Sequence, residues 1–565
     1  MTGADAMVKC LELERVEYVF GYPGVAICPF YDSILKTEIR TVLVRTEQSA
    51  AHAANGYARI SGRAGVAAVT SGPGATNLVT GIATAYMDSV PIVAITCNVI
   101  TPLLGKDSFQ EIDITGVTMP ITKHNFIVRD VRQLADTIRE AFFIAKTGRP
   151  GPVLIDIPKD VTAASCDYEP AQSPFDTRFA KRKASLHRIM KVCDIPDEKI
   201  DKLASLINAS ERPFIYAGGG VIISDACEEL KALAEKAQIP VSTSLMGKSA
   251  FPNTHALSTG MIGMHGTKAS NTAVDRCDLL LAIGTRFSDR VIGDPKRFAG
   301  RAKIVQIDVD PAEVNKNIAV VDSLVGSIKD ALSRLVPLVE KRKASEWNAK
   351  IDEWKTEVPR SRKRSGKLSP KSIFEYVNGS VPPDTIITTE VGQHQMWTAL
   401  FYRFEKPRTF LTSGGLGTMG FGTGAAIGAQ FANPDKTVVH FAGDGSFRMN
   451  CNELATISHY GLPIIIVVFN NGALGNVRQW QTLFYEKRYS ATTLDFAPDF
   501  VKLADAYGVA GVRVTSEAEF KKAFDAALAS GKPAVIDAAI DKDEMVLPMI
   551  PPGKSVDRIM MDIDL

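Results

Sequence analysis

The alternation of short apolar runs with longer segments of helical periodicity limits the fold of this chain more than any other feature. Runs such as "TVLVR" (41–45), "GVAAVT" (65–70) and "PIVAITC" (91–97) each lead into a polar or Gly-rich turn. Strands that are buried on both faces have nearly continuous apolar sequences, and strands that alternate with helices are typical of parallel sheets with crossover connections. The pattern therefore predicts the α/β class.

The predicted strands fall into three blocks, and a chain of 565 residues is too long for a single core. We expect three doubly wound parallel-sheet domains at 1–165, 190–340 and 368–565, joined by a linker near 163–195 and a basic connector at 358–372. The strands are predicted near 17–20, 41–45, 65–70, 91–97 and 152–157, then 213–217, 239–243, 278–283 and 303–308, and finally 385–389, 409–411, 437–442, 462–469 and 535–539.

Charge and cysteine usage narrow the functional classes. The formal net charge is +2 without a basic block, so nucleic acid and anionic membranes are not expected partners. The charged N-terminus predicts neither a signal peptide nor a membrane span. Eight cysteines without CxxC or zinc spacing predict reduced thiols in a cytoplasmic protein.

Two predicted strands of the third block end in unusual polar groups. "HFAGDGSFRMN" (440–450) places Asp444 between two glycines, and "PIIIVVFNNGALG" (463–475) ends its apolar run in a pair of asparagines. The carboxyl ends of parallel strands are where ligands bind, and a crossover helix at about 447–459, starting after Ser446, would make these ends neighbours. A carboxylate, a carboxamide and a backbone carbonyl suit magnesium or calcium. The alternative is two ordinary turns.

The spacing from GDG to NN resembles the diphosphate-binding motif of thiamine-diphosphate enzymes. This resemblance implies that Asp444 and Asn471 bind Mg²⁺ through their side chains and Ala473 through its carbonyl. Thiamine diphosphate also requires a carboxylic acid that shares a proton with N1′ of its pyrimidine ring. Glu47, after the predicted strand 41–45, is our candidate, although a glutamate at a helix N-terminus is the simpler explanation.

The whole chain resembles the catalytic large subunits of the acetolactate (acetohydroxyacid) synthase family. The motifs that carry the resemblance are "GYPG" (21–24), "RTEQSAAHAANGYAR" (45–59), "TSGPGATN" (70–77), "FQEID" (109–113), "GRPGPVLIDIPKD" (148–160), "GMHGT" (263–267), "RFSDR" (286–290), "VGQHQMW" (391–397), "TSGGLGTMGFG" (412–422), "RQWQ" (478–481) and "VLPMIP" (546–551). The family decarboxylates pyruvate on thiamine diphosphate and ligates the hydroxyethyl unit to a second 2-keto acid. The products, 2-acetolactate and 2-aceto-2-hydroxybutyrate, serve branched-chain amino-acid biosynthesis.

The resemblance implies roles for particular residues. The catalytic set is Glu47, Gln110, Lys159 and Arg290, and the substrate set is Phe109, Gln110, Lys159, Arg290, Val477 and Trp480. Met419 resembles the residue that bends the cofactor, although it could equally be core filler. The simpler explanations are surface charges for Lys159 and Arg290 and a core or interface position for Trp480.

The implied contacts of thiamine diphosphate and its metal span two domains. They are Pro23, Gly24, Glu47, Gly72, Asn77, Val391, Gly392, Gln393, His394, Gly417, Met419, Gly443, Asp444, Gly445, Ser446, Asn471, Ala473, Leu474, Gly475 and Asn476. His394 could alternatively be a buried histidine without a ligand.

A second cofactor, FAD without net redox change, is implied for the central domain. "YAGGGV" (216–221) follows a predicted strand but lacks GxGxxG spacing. The matching residues are Arg149, Gly218, Gly219, Gly220, Ser244, Leu245, Met246, Ile262, Gly263, Met264, His265, Gly284, Thr285, Arg286, Asp308 and Val309. The chain departs from the family pattern at Val25, Ile100, Thr101, Pro102, Lys106 and Ser327.

The resemblance also implies an assembly. Glu47 and Asp444 lie in different domains, and in this architecture one chain's first domain faces another chain's third, so a homodimer is the minimal unit and a tetramer is an alternative. Feedback control would require a separate small regulatory subunit. A catabolic FAD-independent acetolactate synthase, a 2-keto acid decarboxylase or oxidase, and a non-catalytic homologue stay open as alternatives.

Overall fold

Three parallel sheets organise the computed structural model, which describes residues 1–168, 194–359, 368–496 and 498–562. Each sheet has six strands, and every hydrogen-bonded pair of neighbours runs parallel. The predicted α/β class with three parallel-sheet domains is therefore confirmed.

The strands are numbered here in chain order. They are β1 (Tyr18–Tyr22), β2 (Arg40–Leu43), β3 (Gly65–Val69), β4 (Ile92–Asn98), β5 (His124–Ile127), β6 (Val153–Pro158), β7 (Pro213–Ala217), β8 (Val241–Thr243), β9 (Ser258–Met261), β10 (Leu279–Ile283), β11 (Lys303–Asp308), β12 (Asp322–Val325), β13 (Ile386–Thr389), β14 (Phe410–Leu411), β15 (Val438–Gly443), β16 (Ile464–Asn470), β17 (Ala510–Val514) and β18 (Ala534–Ala539). The sheet orders are β2-β1-β3-β4-β6-β5, β12-β11-β10-β7-β8-β9 and β14-β13-β15-β16-β18-β17. We call the parts of the chain that carry these sheets the first, central and third units.

The helices lie mainly between successive strands. The α-helices are Gly3–Leu13, Cys28–Ile34, Glu47–Ser61, Pro73–Asn77, Val79–Met87, Ile114–Thr118, Val131–Lys146, Lys159–Ala163, Asp197–Ala209, Gly219–Ile223, Cys227–Ala237, Lys268–Arg276, Asp289–Ile292, Ile328–Leu338, Glu346–Lys355, Pro370–Ser380, Gln393–Phe401, Phe421–Ala432, Asp444–Asn450, Leu454–His459, Gly475–Phe484, Phe500–Ala506 and Glu517–Ser530. Short 3₁₀ helices occur at Thr101–Leu103, Met119–Ile121, Pro311–Glu313, Cys451–Glu453 and Val556–Arg558.

The central strands form the cores, as their sequences predict. Every residue of β3, β4, β6, β7, β10 and β13 is buried. Apolar runs of this kind are stable only when helices cover both faces of the sheet. The sequence therefore encodes each sheet through its inner strands.

The first and third units pack directly on each other through helices Glu47–Ser61 and Phe421–Ala432. A Cβ atom on Gly56 would lie 2.2 Å from the carbonyl oxygen of Ala425, and one on Gly428 would lie 1.9 Å from that of Ala53. These distances are far below van der Waals contact, so only glycine permits the two main chains to come so close. One apolar cluster accordingly includes residues of both units.

Four strands were not predicted, and one helix begins earlier than predicted. The missed strands β5, β9, β12 and β17 all lie at the edges of their sheets. The crossover helix expected at about 447–459 starts at Asp444, directly after β15, and is interrupted by the 3₁₀ turn Cys451–Glu453. The expectation of a helix start after Ser446 was therefore wrong, because the strand continues into the helix without a loop.

Several further predictions bear on the domain borders. Residues 169–193 of the linker and 360–367 of the connector lie outside the described residues. Helix Glu346–Lys355 packs its Trp347 and Ile351 against the central unit, beyond the expected border at 340. The domain limits themselves stay predictions.

The described residues agree with two further expectations. Within 1–168, 194–359, 368–496 and 498–562, no helix has the length and apolar character that crossing a membrane requires. The cysteines in these ranges are free thiols. The cytoplasmic location stays a prediction.

Candidate active site

Asp444 and Asn471 follow two neighbouring strands of the third unit. Strands β15 and β16 pair in register up to Gly443 and Phe469, so both polar residues emerge at the same edge of the sheet. Asp444 is only 1% exposed, and its Oδ2 atom has no hydrogen-bond partner among the described residues. Burial raises the pKa of this carboxyl to about 7, against the opposing effect of the Gly445 and Gly472 backbone N–H groups. A buried carboxylate oxygen without a partner fits a cation ligand.

The loop after β16 is ordered by its own polar groups. The Asn471 Oδ1 atom accepts a hydrogen bond from the Ala473 N–H at 3.1 Å, and the Asn471 Nδ2 group donates to Gln393 Oε1 at 3.4 Å. No cluster of three or more His, Cys, Asp or Glu side chains with metal-binding geometry occurs in the described ranges. A metal at this edge would therefore rely on one carboxylate with neutral oxygen donors, which is the donor set that the sequence predicted.

The Gln393 side chain is fully engaged within the protein. Its Nε2 group donates to Gln479 Oε1 and to the Glu544 carbonyl, both at 2.9 Å. Gln393 is the first residue of helix Gln393–Phe401, where backbone N–H groups have no intrahelical acceptor. Only its backbone is left to make the cofactor contact predicted for Gln393.

Met419, Leu474 and His394 surround the glycines of the GDG turn. The Met419 Cε atom lies 4.0 Å from the position that a Cβ on Gly445 would take, and the Leu474 Cδ2 atom lies 2.7 Å from it. A Cβ on Gly443 would lie 2.8 Å from His394 Nδ1. The His394 Nε2 atom is buried without a partner among the described residues, and burial lowers the His394 pKa to about 3, so its imidazole is neutral.

Glu47 lies at the other predicted half of the site, in the first unit. It is the first residue of helix Glu47–Ser61, and Thr46 caps this helix by accepting the Ser49 N–H. The Glu47 Oε2 atom accepts a hydrogen bond from Asn77 Nδ2 at 2.9 Å, while Glu47 Oε1 lies 3.3 Å from where a Cβ on Gly74 would be. The structure thus places Glu47 against Gly74 and Asn77 of the segment 70–77.

Gln110 lies against the same turn. A Cβ on Gly72 would be 2.8 Å from the Gln110 carbonyl oxygen, and Gly72 and Gln110 both have positive φ, at 57° and 59°. The left-handed conformation is unfavourable for glutamine, so tight packing on Gly72 must hold it. Phe109, next to it, is 88% exposed.

Glu453 is a positioning residue that sequence reasoning missed. Its Oε1 atom accepts the backbone N–H groups of Arg45 at 2.8 Å and of Thr46 at 3.1 Å, immediately before Glu47. Its Oε2 atom accepts the Thr456 hydroxyl at 2.6 Å, and the Glu453 side chain is completely buried. The backbone that presents Glu47 is therefore fastened to the helical run that begins at Asp444.

A cavity of about 1420 Å³ lies among the three units. From the predicted sets its lining includes Gly218, Gly219, Gly220, Ser244, Leu245, Met246, Ile262, Met264, His265, Gly284, Thr285, Arg286, Arg290, Val391, Gly417, Asn476, Val477 and Trp480. Its volume exceeds the roughly 300–1,000 Å³ typical of pockets for one small ligand. Part of each predicted set, for flavin, substrate and thiamine diphosphate, thus lines one space. Glu47, Gln110, Lys159 and Asp444 are not part of its lining.

Arg290 and Trp480 are free to contact a ligand in this cavity. The Arg290 side chain is 63% exposed, and its Nε lies 3.8 Å from Asp289 Oδ2, beyond hydrogen-bonding distance. Trp480 lies on helix Gly475–Phe484 and packs edge-to-face on Phe484, with 5.2 Å between the ring centroids. A guanidinium and an indole that line one cavity suit a small carboxylate with an apolar tail.

The glycines of the central unit are explained in part by the fold itself. A Cβ on Gly218 would lie 2.0 Å from the Gly284 carbonyl oxygen, and one on Gly220 would lie 2.6 Å from the Gly284 Cα atom. Their small size is thus required by the contact of two loops whether or not a ligand binds. These glycines alone do not identify a flavin site.

Two other predicted flavin contacts lie outside the cavity lining. Arg149 donates to Ser89 Oγ at 2.8 Å and to Glu313 Oε1 at 2.6 Å. Asp308 ends β11 and is 7% exposed, and burial raises its pKa to about 6. Gly263 and Val309 are likewise absent from the lining.

Two of the departures from the family pattern make local structural contacts. Ser327 caps helix Ile328–Leu338 by accepting the Asp330 N–H at 3.2 Å. Thr101 donates both its N–H and its hydroxyl to Asp160 Oδ1, at 3.0 and 3.1 Å, next to Lys159. Val25 is 72% exposed beside Gly24.

Comparison with protein families and curated proteins agrees with this architecture. The models for the thiamine pyrophosphate enzyme N-terminal TPP binding domain, central domain and C-terminal TPP binding domain match residues 1–117, 200–335 and 390–538. A probable acetolactate synthase large subunit from Methanocaldococcus jannaschii is 50% identical, over 100% of this chain and 96% of the relative. The acetolactate synthase large subunits of Corynebacterium glutamicum and Parasynechococcus marenigrum are each 46% identical, over 100% and 98% of this chain and 91% and 90% of the relatives. The chain belongs to the acetolactate synthase large-subunit family of thiamine pyrophosphate enzymes.

Membership in the acetolactate synthase family confirms the resemblance predicted from the motifs. The descriptions of the matching models assign thiamine pyrophosphate to the first and third units, where Glu47 and Asp444 lie. The roles of individual residues stay predictions. Sequence reasoning missed the positioning contacts of Glu453 and Gln479, because their partners lie far away along the chain.

Proposed function

We propose that this chain decarboxylates pyruvate and joins the resulting two-carbon unit to a second 2-keto acid. The product is 2-acetolactate from pyruvate, or 2-aceto-2-hydroxybutyrate from 2-ketobutyrate, for branched-chain amino-acid biosynthesis. The observation that carries the proposal is one cavity whose lining includes Arg290 of the central unit together with Val391, Gly417 and Trp480 of the third unit. A carboligase needs such a space because a second acid must reach the carbon that has lost carbon dioxide.

The third unit provides the proposed anchor for thiamine diphosphate. Asp444, Asn471 and the Ala473 carbonyl would bind Mg²⁺, which prefers phosphate oxygens as its remaining ligands. The unpartnered Asp444 Oδ2 fits this role, and Gly443 and Gly445 on either side of it carry no side chain of their own. When bound, thiamine diphosphate supplies the carbon centre that releases carbon dioxide from a 2-keto acid and transfers the remaining fragment.

The protein residues would supply proton control and orientation. Glu47 would share a proton with N1′ of the pyrimidine ring, and its hydrogen bond from Asn77 orients the carboxyl for this task. Arg290 would hold the acceptor carboxylate by a bidentate pair, and Trp480 would bound its alkyl group. Gln110, Phe109, Lys159 and Val477 would line the approach of substrate.

We also propose a structural FAD in the central part of the cavity. The cavity is larger than two small keto acids require, and Arg59, Arg286 and Arg408 bring positive charge that suits a diphosphate. The bound-flavin absorbance of the protein purified from cells grown with riboflavin tests this. A colourless protein that nevertheless has full activity would contradict the proposed flavin and leave carboligation standing.

The active unit is proposed to be a homodimer. Glu453, which holds the backbone before Glu47, follows Asp444 by nine positions, a rise of roughly 13 Å at helical spacing, so this contact by itself would not bring Glu47 to Asp444 of the same chain. Large apolar side chains are exposed beside both half-sites, notably Val25 and Phe109 in the first unit and Leu416 and Met449 in the third. A second copy that covers them would bring Glu47 of one chain to Asp444 of the other. The relatives' name "large subunit" also suggests a separate small subunit.

Subunit mixing tests the shared site. Glu47→Gln and Asp444→Asn chains should each be nearly inactive, yet a mixture refolded or co-expressed together should regain about a quarter of wild-type activity. Half of the dimers are then hybrids, and each hybrid has one intact site. An inactive mixture, with hybrid dimers shown by mass spectrometry, would place both residues in one chain's site.

Product analysis tests the reaction itself. The protein, supplied with thiamine diphosphate, Mg²⁺ and pyruvate, should form a product that acid converts to acetoin. Added 2-ketobutyrate should give 2-aceto-2-hydroxybutyrate in competition. Release of acetaldehyde as the main product would identify a decarboxylase instead, and reduction of an electron acceptor would identify an oxidase.

A further inference from the structure

Gln479, next to Trp480, is the centre of a buried amide network. It is 2% exposed, and its Oε1 atom accepts the Gln393 Nε2–H and the Val546 backbone N–H, both at 2.9 Å. Its Nε2 group donates back to the Val546 carbonyl at 3.1 Å. The side-chain amide thus pairs with Val546 in the way that a neighbouring strand would, and it fixes helix Gly475–Phe484 to this part of the chain.

The segment 543–550, which we call the bridge segment, continues from this contact to the opposite wall of the cavity. Its first residue, Asp543, accepts two hydrogen bonds from Arg478, at 2.9 and 2.8 Å. At its other end, the Ile550 N–H donates to the Met264 carbonyl at 2.7 Å, and the Met264 N–H donates to the Arg290 carbonyl at 2.8 Å. An unbroken path of hydrogen bonds and chain therefore connects Trp480 to Arg290.

Both ends of this path line the cavity, whereas Gln479 and the bridge segment do not. Pro548 gives a further contact with the central unit, because its carbonyl lies 3.2 Å from His265 Nδ1. The bridge segment is consequently attached to the third unit through Gln479 and to the central unit through Met264 and His265. It is therefore one direct connection between the two walls of the cavity.

We propose that Gln479 is a positioning residue that fixes the separation of Trp480 from Arg290 and thereby the choice of acceptor acid. The inference rests on the proposed function, in which Arg290 holds the acceptor carboxylate and Trp480 bounds its alkyl group. Pyruvate and 2-ketobutyrate differ by one methylene, so a small change in this separation alters which acid is better accommodated. Discrimination of one methylene is worth about 10- to 200-fold in a well-formed pocket.

The alternative is that Gln479 contributes only to stability. Any buried glutamine whose amide is bonded leaves unsatisfied backbone groups when it is removed. Gln430 provides a matched control, since it is also 2% exposed in the third unit and its Nε2 donates to the carbonyls of Asn433, Pro434 and Lys436. Gln430 does not line the cavity.

The test compares Gln479→Met with Gln430→Met in the full-length holoenzyme. Each variant receives equal concentrations of pyruvate and 2-ketobutyrate, and the ratio of the two acetohydroxy acids is measured together with the melting temperature and the release of acetaldehyde. We expect both variants to lose similar stability, while only Gln479→Met changes the product ratio, by about threefold or more. The KM for 2-ketobutyrate as acceptor should change more than kcat with pyruvate alone.

An unchanged product ratio in Gln479→Met, or the same change in Gln430→Met, would overturn the inference. If Gln479→Met does not fold, Gln479→Asn keeps the amide but shortens its reach, and the same comparison applies with Asn at position 430. The wild-type product test separates this result from the proposed function. If the wild type forms acetohydroxy acids and Gln479→Met gives the same product ratio, only the positioning role is contradicted.

Discussion

The first and third units have the same strand order but different chemistry at their strand ends. In each, the second strand of the unit lies at one edge, followed in the sheet by the first, third, fourth, sixth and fifth. The residues between β3 and the next helix, Thr70, Ser71 and Gly72, include no acid, whereas the helix that directly follows β15 begins with Asp444. The two units show that one scaffold acquires different tasks through a few side chains where its strands end.

The acids of the two units differ most clearly in accessibility. Glu47 begins the helix after β2 and is half-buried, with its carboxyl held by Asn77. Glu390 follows β13 and is completely buried, where it accepts the Gly420 N–H at 2.6 Å and the Thr423 N–H at 3.1 Å. Glu47 is therefore accessible to a ligand, whereas both oxygens of Glu390 are used to cap a helix of the third unit.

Replacing the accessible acid should give the largest effect. We expect Glu47→Gln to lower the rate of acetolactate formation by at least about 100-fold, because proton transfer by a positioned acid contributes about 10²- to 10⁴-fold. Binding of thiamine diphosphate with Mg²⁺, measured by calorimetry, should be little changed. Glu38→Gln, an exposed position in the same unit, serves as the control. Near-normal turnover of Glu47→Gln would show that Glu47 is not the activating acid of the first unit.

Asp444→Asn should lower cofactor binding, whereas Glu47→Gln should lower turnover without changing cofactor binding. The Asp444 carboxylate is buried with one oxygen unpartnered, so its removal should leave the cofactor-free protein as stable as the wild type or more so. The thermal stabilisation by Mg²⁺ with thiamine diphosphate should disappear. The exposed Asp435→Asn variant is the control, and retained cofactor stabilisation in Asp444→Asn would contradict the assigned anchor.

The contact that joins the two units should have an intermediate effect. Glu453→Ala leaves the Arg45 and Thr46 N–H groups unsatisfied, at a cost of about 1–3 kcal/mol in unfolding free energy. We expect kcat to fall about tenfold, because the backbone before Glu47 loses its support. Glu453→Gln keeps an oxygen at the same place and should recover most of both losses. Equal kcat values for the alanine variant and the wild type would show that Glu47 is positioned without it.

The smallest expected effect concerns the pH dependence of stability. Burial raises the pKa of Glu390 from its ordinary 4.5 to about 7, and the neighbouring His440 is neutral because burial lowers its pKa to about 3. The folded protein therefore keeps a proton that the unfolded chain releases, and this contribution to stability is lost as pH rises from about 4.5 to about 7. Relative to Glu390→Gln, the wild type should lose about 1–3 kcal/mol over this range in urea unfolding. Parallel stability curves would indicate that Glu390 is ionised in the fold.

The inner strands and the site motifs were predictable from the sequence, whereas four of the six edge strands were not. Strands such as β4 are buried on both faces and consist of apolar residues, so their sequence alone is diagnostic. The missed β17 has exposed residues at most of its positions, because an edge strand has a neighbour on one side only. The residues that position the site were also missed. Glu453 acts on Arg45, and no pattern along the chain indicates a contact over 408 positions.

The glycine contacts between helices Glu47–Ser61 and Phe421–Ala432 have a consequence for how such enzymes can diverge. Main chain touches main chain at Gly56 and Gly428, so even one added methyl group would force the two helices apart. Substitution at this helix–helix contact therefore requires the two helices to move apart, whereas residues at the strand ends can be exchanged singly. Residues around the cavity can therefore change to accept other substrates while the packing of these two helices stays the same.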